Sequence, residues 1–171
     1  MIVRLIKQIY EKLLVACTIF AGVLIIAGIV MIVVDVILRS TGFKPPGFTV
    51  AFVEYILLYF VLLSAPYLVR EKGHVLTDMV VQNLPPRLKF FIEKFVYLLC
   101  IAISILFAIV GGMLCLQAFQ LGYMDERSVD IPYWLLYILY PLCFSMIAIE
   151  FTRYLIGKDS LFDRDLSLDS V

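Results

Sequence analysis

The chain has 171 residues, with 14 Lys and Arg balanced by 14 Asp and Glu. Its mean hydropathy is +1.02 and 16% of its residues are charged, whereas soluble domains carry about 25%. This composition excludes an ordinary soluble domain and indicates an integral membrane protein, and the absence of net charge gives no sign of a nucleic-acid partner.

The first segment, residues 1–12, is predicted to form a short amphipathic helix on the membrane surface. Apolar residues recur at helical spacing on one side of it, and charged or polar residues occupy the other. The apolar residues are Ile2, Leu5, Ile6 and Ile9, and the polar ones are Arg4, Lys7, Gln8 and Glu11.

Four apolar stretches follow, each near the 20 residues needed to cross about 30 Å of hydrocarbon. They cover residues 13–34, 48–69, 95–116 and 133–155. The first ends at Asp35 without a small-residue cleavage site, so we expect it to be retained rather than removed as a signal peptide. We predict an all-α integral membrane fold with four transmembrane helices and short interfacial helices.

The segments between the spans complete a single membrane domain over residues 1–157. A second interfacial helix is predicted at residues 75–83, before Pro85 and Pro86. Residues 158–171 form a polar tail. With the N-terminus inside, eleven of the 14 Lys and Arg fall on the inner side, so the positive-inside rule predicts both termini in the cytoplasm.

The fourth span carries three residues with positional meaning. Pro132 suits the first turn of a helix, where its missing N–H costs nothing. Trp134 belongs to an expected aromatic belt at the outer membrane surface. Pro141 falls inside the span and is expected to kink it.

The central parts of all four spans lack Asp, Glu, Lys, Arg and His: residues 21–30, 56–63, 102–110 and 138–147. Ionisable groups at that depth normally mark ion or proton paths. Nearest to the bilayer are Asp35, Arg39 and Glu54, and an Arg39–Glu54 ion pair is expected. This pair is interpreted as structural, with a contact to a transport subunit or a proton-carrying role as alternatives.

Small residues and a charged elbow supply the remaining candidate sites. Ser104, Ala108 and Gly112 form a small-residue stripe on the third span, which packs either within the chain or against a partner. The elbow holds Arg70, Gly73, His74 and Asp78. His74 and Asp78 share a helical face. They are interpreted as an orienting hydrogen bond, with a subunit contact or pH sensing as alternatives.

The sequence predicts no enzyme activity, cofactor or metal site. One histidine and one carboxylate are too few for zinc, which takes three or four protein ligands. A bis-histidine haem site is excluded by the single histidine, and the four cysteines all fall within apolar spans. They are interpreted as small buried hydrophobes.

The order of these motifs resembles the small, DctQ-like (Q-type) membrane subunit of tripartite ATP-independent periplasmic (TRAP) transporters. The resemblance rests on Arg39, Glu54, the elbow from Arg70 to Asp78 with Leu84-Pro85-Pro86, and the span-four pattern of Ile131, Pro132, Trp134, Tyr137 and Pro141. It departs from the family at Glu54, where a second adjacent acid is missing.

The resemblance implies a scaffold subunit without catalysis, in the bacterial inner membrane. Its partners would be a large multispan membrane subunit, which moves a carboxylate-bearing solute with sodium, a periplasmic solute-binding protein and membrane lipids. The alternatives are a stand-alone proton-coupled tetraspan exporter that uses Glu54, and an accessory subunit of a redox complex.

Overall fold

The computed structural model describes residues 2–44, 46–71, 86–125 and 130–157. Its elements are α1 (Ile2–Ser40), α2 (Thr49–Arg70), α3 (Pro86–Leu121), β1 (Met124–Asp125), β2 (Ile131–Pro132), α4 (Tyr133–Tyr137) and α5 (Leu139–Ile156). In the described part of the chain, four helical segments are long and apolar enough to span a membrane: Gln8–Ser40, Thr49–Arg70, Phe91–Leu121 and Tyr133–Ile156. The prediction of an all-α fold with four spanning helices is confirmed.

Helix α1 has no break at the predicted boundary between residues 12 and 13. The sequence favoured a separate helix over residues 1–12, but α1 is continuous from Ile2 to Ser40. No glycine or proline occurs between Ile2 and Ala21, so nothing interrupts the backbone hydrogen bonds there. The surface position of these first residues stays a prediction. The helix predicted at 75–83, the residues Gly73, His74 and Asp78, and the tail 158–171 lie outside the described residues.

The fourth span is interrupted at Ile138, between α4 and α5. Pro141 has no N–H to donate to the carbonyl of Tyr137, four residues earlier, so the expected distortion falls at this point. Pro132 lies in β2 and precedes α4 in an extended conformation, one residue before the helical turn in which it was predicted.

The helices form a row in the order α1, α2, α5, α3. Helix α1 packs mainly on α2, α2 also packs on α5, and α5 packs along α3. The antiparallel pair β1–β2 closes the connection between α3 and α4. We call the end where α1 begins and α5 finishes the terminal end, and the opposite end the loop end. Because α1 and α3 are the edges of the row, only 11% of the residues in the most apolar stretch of each helix are buried.

Two apolar clusters fill the middle of the row. The cluster nearer the terminal end contains Val69, Tyr97, Ile147, Phe151 and Tyr154. The second joins α1, α2 and α5 through Ala21, Leu62, Leu63 and Cys143. Cys143 is 1% exposed and, like the other three cysteines, has a free thiol.

Helix α3 meets α5 along a stripe with seven-residue spacing. Tyr97, Ser104, Gly111 and Ala118 are all buried. This repeat is the 3.5-residue period of helices that cross with a left-handed supercoil. The predicted stripe lies partly on this seam: Ser104 is 4% exposed, and a Cβ on Gly112 would lie 3.9 Å from Pro141 Cβ. Gly111 was not predicted to be part of this contact, although a Cβ there would lie 2.5 Å from Tyr140 Cβ.

The substitution Gly111→Ala should weaken the α3–α5 seam. The new Cβ collides with the Cβ of Tyr140, which no rotamer change can move away, so we expect a loss of about 1–3 kcal/mol. The neighbouring Gly112→Ala meets ordinary contact distances and is the matched control. Thermal unfolding in mild detergent should separate the two variants, and equal unfolding temperatures would contradict the seam.

Candidate functional site

A buried carboxylate lies at the terminal end of the row. Glu150 on α5 is 1% exposed. Its Oε2 accepts a hydrogen bond from Arg153 Nη1 at 2.7 Å, and its buried Oε1 accepts none from the residues that the structure describes. A buried charge is costly unless it is paired, so the contact with Arg153 stabilises the carboxylate inside the row.

Arg70 ties three helices together beside Glu150. Its Nη2 donates to Glu11 Oε1 on α1 at 2.9 Å, and the Arg70 side chain is 24% exposed. The hydroxyl of Tyr154 on α5 donates to the carbonyl of Arg70 at 2.8 Å. The Arg70 carbonyl belongs to the last turn of α2, which has no further turn to supply a donor. The Tyr154 hydroxyl therefore caps α2.

Two further hydrogen bonds complete what we call the charged cluster: Tyr10, Glu11, Arg70, Lys94, Glu150, Arg153 and Tyr154. The hydroxyl of Tyr10 on α1 donates to the carbonyl of Met146 at 3.3 Å. Lys94 Nζ on α3 donates to the carbonyl of Leu155 at 2.7 Å. The positive charge of Lys94 is stabilised there by the negative end of the α5 helix dipole. Every spanning helix thus contributes to the charged cluster.

Of the charged cluster, sequence reasoning singled out only Arg70 as a site residue. Glu150 and Arg153 were missed because they lie outside the central third of the fourth span, where charges were sought. Their three-residue spacing, which allows pairing on one helix face, was the available signal. In the described part of the chain, no three His, Cys, Asp or Glu residues come close enough to hold a metal ion.

At the loop end, Arg39 pairs with Asp35 on its own helix, with Nε 2.6 Å from Oδ2. Glu54 is exposed on α2, and its expected pairing with Arg39 stays a prediction. The buried acid at this end is Asp125, which is 1% exposed and accepts a hydrogen bond from the Tyr55 hydroxyl. That bond ties β1 to α2.

The aromatic residues of the fourth span lie partly inside the row. Trp134 is half-buried, its ring lies edge-on to Phe119 on α3 at 6.0 Å, and its carbonyl lies 3.5 Å from Cys115 Sγ. The rings of Tyr133 and Tyr137 stack at 6.0 Å. The contacts of Trp134 with Phe119 and Cys115 pack α4 against α3, which is a packing role in addition to the expected membrane belt.

The substitution Arg153→Gln should destabilise the terminal end. It leaves the buried Glu150 carboxylate without its cation, and because the arginine is 49% exposed we expect about 1–3 kcal/mol rather than the larger cost of a fully buried pair. The double variant Glu150→Gln, Arg153→Gln removes both charges and should unfold at a higher temperature than Arg153→Gln alone. The reverse order would show that Arg153 does not stabilise Glu150.

Comparisons with known proteins agree with this architecture. The family model described as "Tripartite ATP-independent periplasmic transporters, DctQ component" matches residues 28–159. Neither the comparison with curated proteins nor the comparison with solved structures gave a match. The matched region contains α2, α3, α4 and α5 in full and the last part of α1. The chain therefore belongs to the DctQ family and is a small membrane subunit of a TRAP transporter.

Proposed function

We propose that this chain is the scaffold of a sodium-coupled TRAP importer for a carboxylate-bearing solute, and that it performs no reaction itself. The large membrane subunit would move the solute, and a periplasmic binding protein would deliver it. Family membership is the single observation that carries the proposal. The sodium coupling and the solute class come from the family resemblance.

The charge distribution supports a scaffold rather than a carrier. The central parts of the four spans, residues 21–30, 56–63, 102–110 and 138–147, contain no Asp, Glu, Lys, Arg or His. A carrier that couples an ion gradient to transport normally places such groups at mid-membrane. The charged cluster and Asp125 bind elements of the same chain together, as a rigid support requires.

The shape of the row supports a partner at one of its edges. Helices α1 and α3 each present a long apolar face that no other described residues cover, with Ile26 63% exposed on α1 and Leu106 57% exposed on α3. In our proposal the large subunit covers one of these faces and lipid covers the other. A row of four helices would then widen the footprint of the large subunit in the membrane.

The proposed location is the bacterial inner membrane, with both termini in the cytoplasm. Eleven of the 14 Lys and Arg would then lie on the cytoplasmic side, as the positive-inside rule favours. The charged cluster would lie at the cytoplasmic leaflet. Arg70, together with Gly73, His74 and Asp78, would hold the chain at that surface, and Arg39 with Glu54 would serve the outer side.

Copurification tests the proposal. The full chain, tagged and co-expressed with the large multispan subunit of its transporter, should copurify with it in mild detergent. Proteoliposomes that contain both subunits should import a carboxylate solute only with the binding protein and an inward sodium gradient. Purification of the chain without a partner, or proton-driven efflux by the chain alone that Glu54→Gln abolishes, would contradict the scaffold role.

Matched tryptophan variants should identify the covered edge. Ile26→Trp on α1 and Leu106→Trp on α3 add similar bulk to exposed positions at mid-span. A lipid-facing tryptophan is tolerated, whereas one in a close helix–helix contact prevents association. We expect one variant to lose copurification by at least about tenfold, roughly 1.4 kcal/mol, and the other to retain it. If both variants still copurify with the large subunit, neither face belongs to the interface.

A further inference from the structure

A groove runs beside the charged cluster on the last turns of α5. Its volume is about 560 Å³, within the range of small-molecule sites. The groove is lined by Ile149, Glu150, Thr152, Arg153 and Ile156, among others. Acidic, basic and apolar side chains therefore border one space at the terminal end of a membrane-spanning helix.

The carboxylate in this groove has an unused acceptor. Glu150 is 1% exposed, and within the described part of the chain no donor lies in hydrogen-bonding geometry with its Oε1. The Tyr10 hydroxyl lies next to this carboxylate, but its hydrogen bond, 3.3 Å long, goes to the Met146 carbonyl. Buried polar atoms almost always find a partner. Oε1 of Glu150 is therefore the acceptor that an N–H donor entering the groove would meet.

Arg153 supplies the opposite charge at the rim of the groove. One of its nitrogens donates to Glu150 Oε2, while the side chain as a whole is 49% exposed. A guanidinium carries five N–H donors, so most of them remain for an anion such as a phosphate. The groove thus offers a site for an anion next to a site for an N–H cation.

Apolar side chains continue the groove along the helix. Ile149 is 48% exposed and Ile156 is 81% exposed. Ile149 lies one turn from Arg153 on the bilayer side, where an acyl chain would run. Arg153 lies in the last turn of a segment long and apolar enough to span a membrane, so in a bilayer the charged groups would lie near the lipid headgroups.

We infer that this groove binds a phospholipid with a primary-amine headgroup, of the phosphatidylethanolamine class. The lipid phosphate binds Arg153, the ammonium donates to Glu150 Oε1, and an acyl chain lies on Ile149. Because Oε1 lies below the groove surface, the ammonium reaches it when the half-exposed Arg153 side chain turns outward with the phosphate. Phosphatidylcholine lacks the N–H donor, and phosphatidylglycerol lacks the cation.

Lipid titration of the full-length chain tests the inference without any substitution. Native mass spectrometry in mild detergent would compare phosphatidylethanolamine, its N-methyl and N,N-dimethyl derivatives, phosphatidylcholine and phosphatidylglycerol, all with the same acyl chains. We expect the ethanolamine lipid to bind about tenfold more tightly than phosphatidylcholine, with the loss greatest where the last N–H disappears. Equal affinity across the series would overturn the inference.

Two variants assign the contacts. Glu150→Gln should remove the preference for ethanolamine over choline and keep the remaining affinity, whereas Arg153→Gln should weaken all the phospholipids. Lys44→Gln, at an exposed position of the loop end, is the matched control. If the folded Glu150→Gln variant still prefers the ethanolamine lipid over the choline lipid, the lipid binds at another place and the inference is wrong. None of these outcomes depends on the large subunit, so they are separate from the test of the scaffold role.

Discussion

The terminal end of this subunit depends on the buried carboxylate of Glu150 and its pairing with Arg153. Among the described residues Glu150 pairs with Arg153, and it lies beside the contacts that bring α1 and α2 onto α5. Charged groups inside a membrane protein are costly unless they are paired. The network around Glu150 therefore restricts which depth and which rotation each helix can adopt. The scaffold role proposed for this subunit requires such a restriction.

Along the rest of the row, the helices are held by close packing. Lipid is as apolar as the side chains it surrounds, so apolar burial adds little and small residues that allow backbones to approach become decisive. Gly111 on α3 leaves room for Tyr140, and Gly28 on α1 leaves room for Ile56. The same logic explains the exposed edges, where branched and aromatic side chains cover α1 and α3 toward lipid or a partner.

Composition and apolar length predicted the class and the four spans, because these depend on properties summed over about 20 residues. The family came from the order and spacing of individual motifs along the chain. Details that depend on pairs of helices could not be predicted. The predicted stripe of small residues from Ser104 to Gly112 has four-residue spacing, whereas the observed α3–α5 seam has seven-residue spacing and overlaps the stripe only in part. The closest contact of the seam is at Gly111. Glu150 became important only once α1 and α2 were known to lie beside it. Residues 2–12 continue directly into the first span as one helix, because no glycine or proline between Ile2 and Ala21 ends it.

The helices form a row in which α1 and α3 occupy opposite edges. Disulfide formation in a variant whose native cysteines are replaced tests this arrangement directly. A Cβ on Gly28 would lie 3.9 Å from Ile56 Cβ, close to the separation of about 3.8 Å in disulfides. Gly28→Cys with Ile56→Cys should therefore crosslink rapidly under mild oxidation in membranes, and Gly28→Cys with Gly112→Cys should not. Crosslinking of the second pair in place of the first would contradict the row.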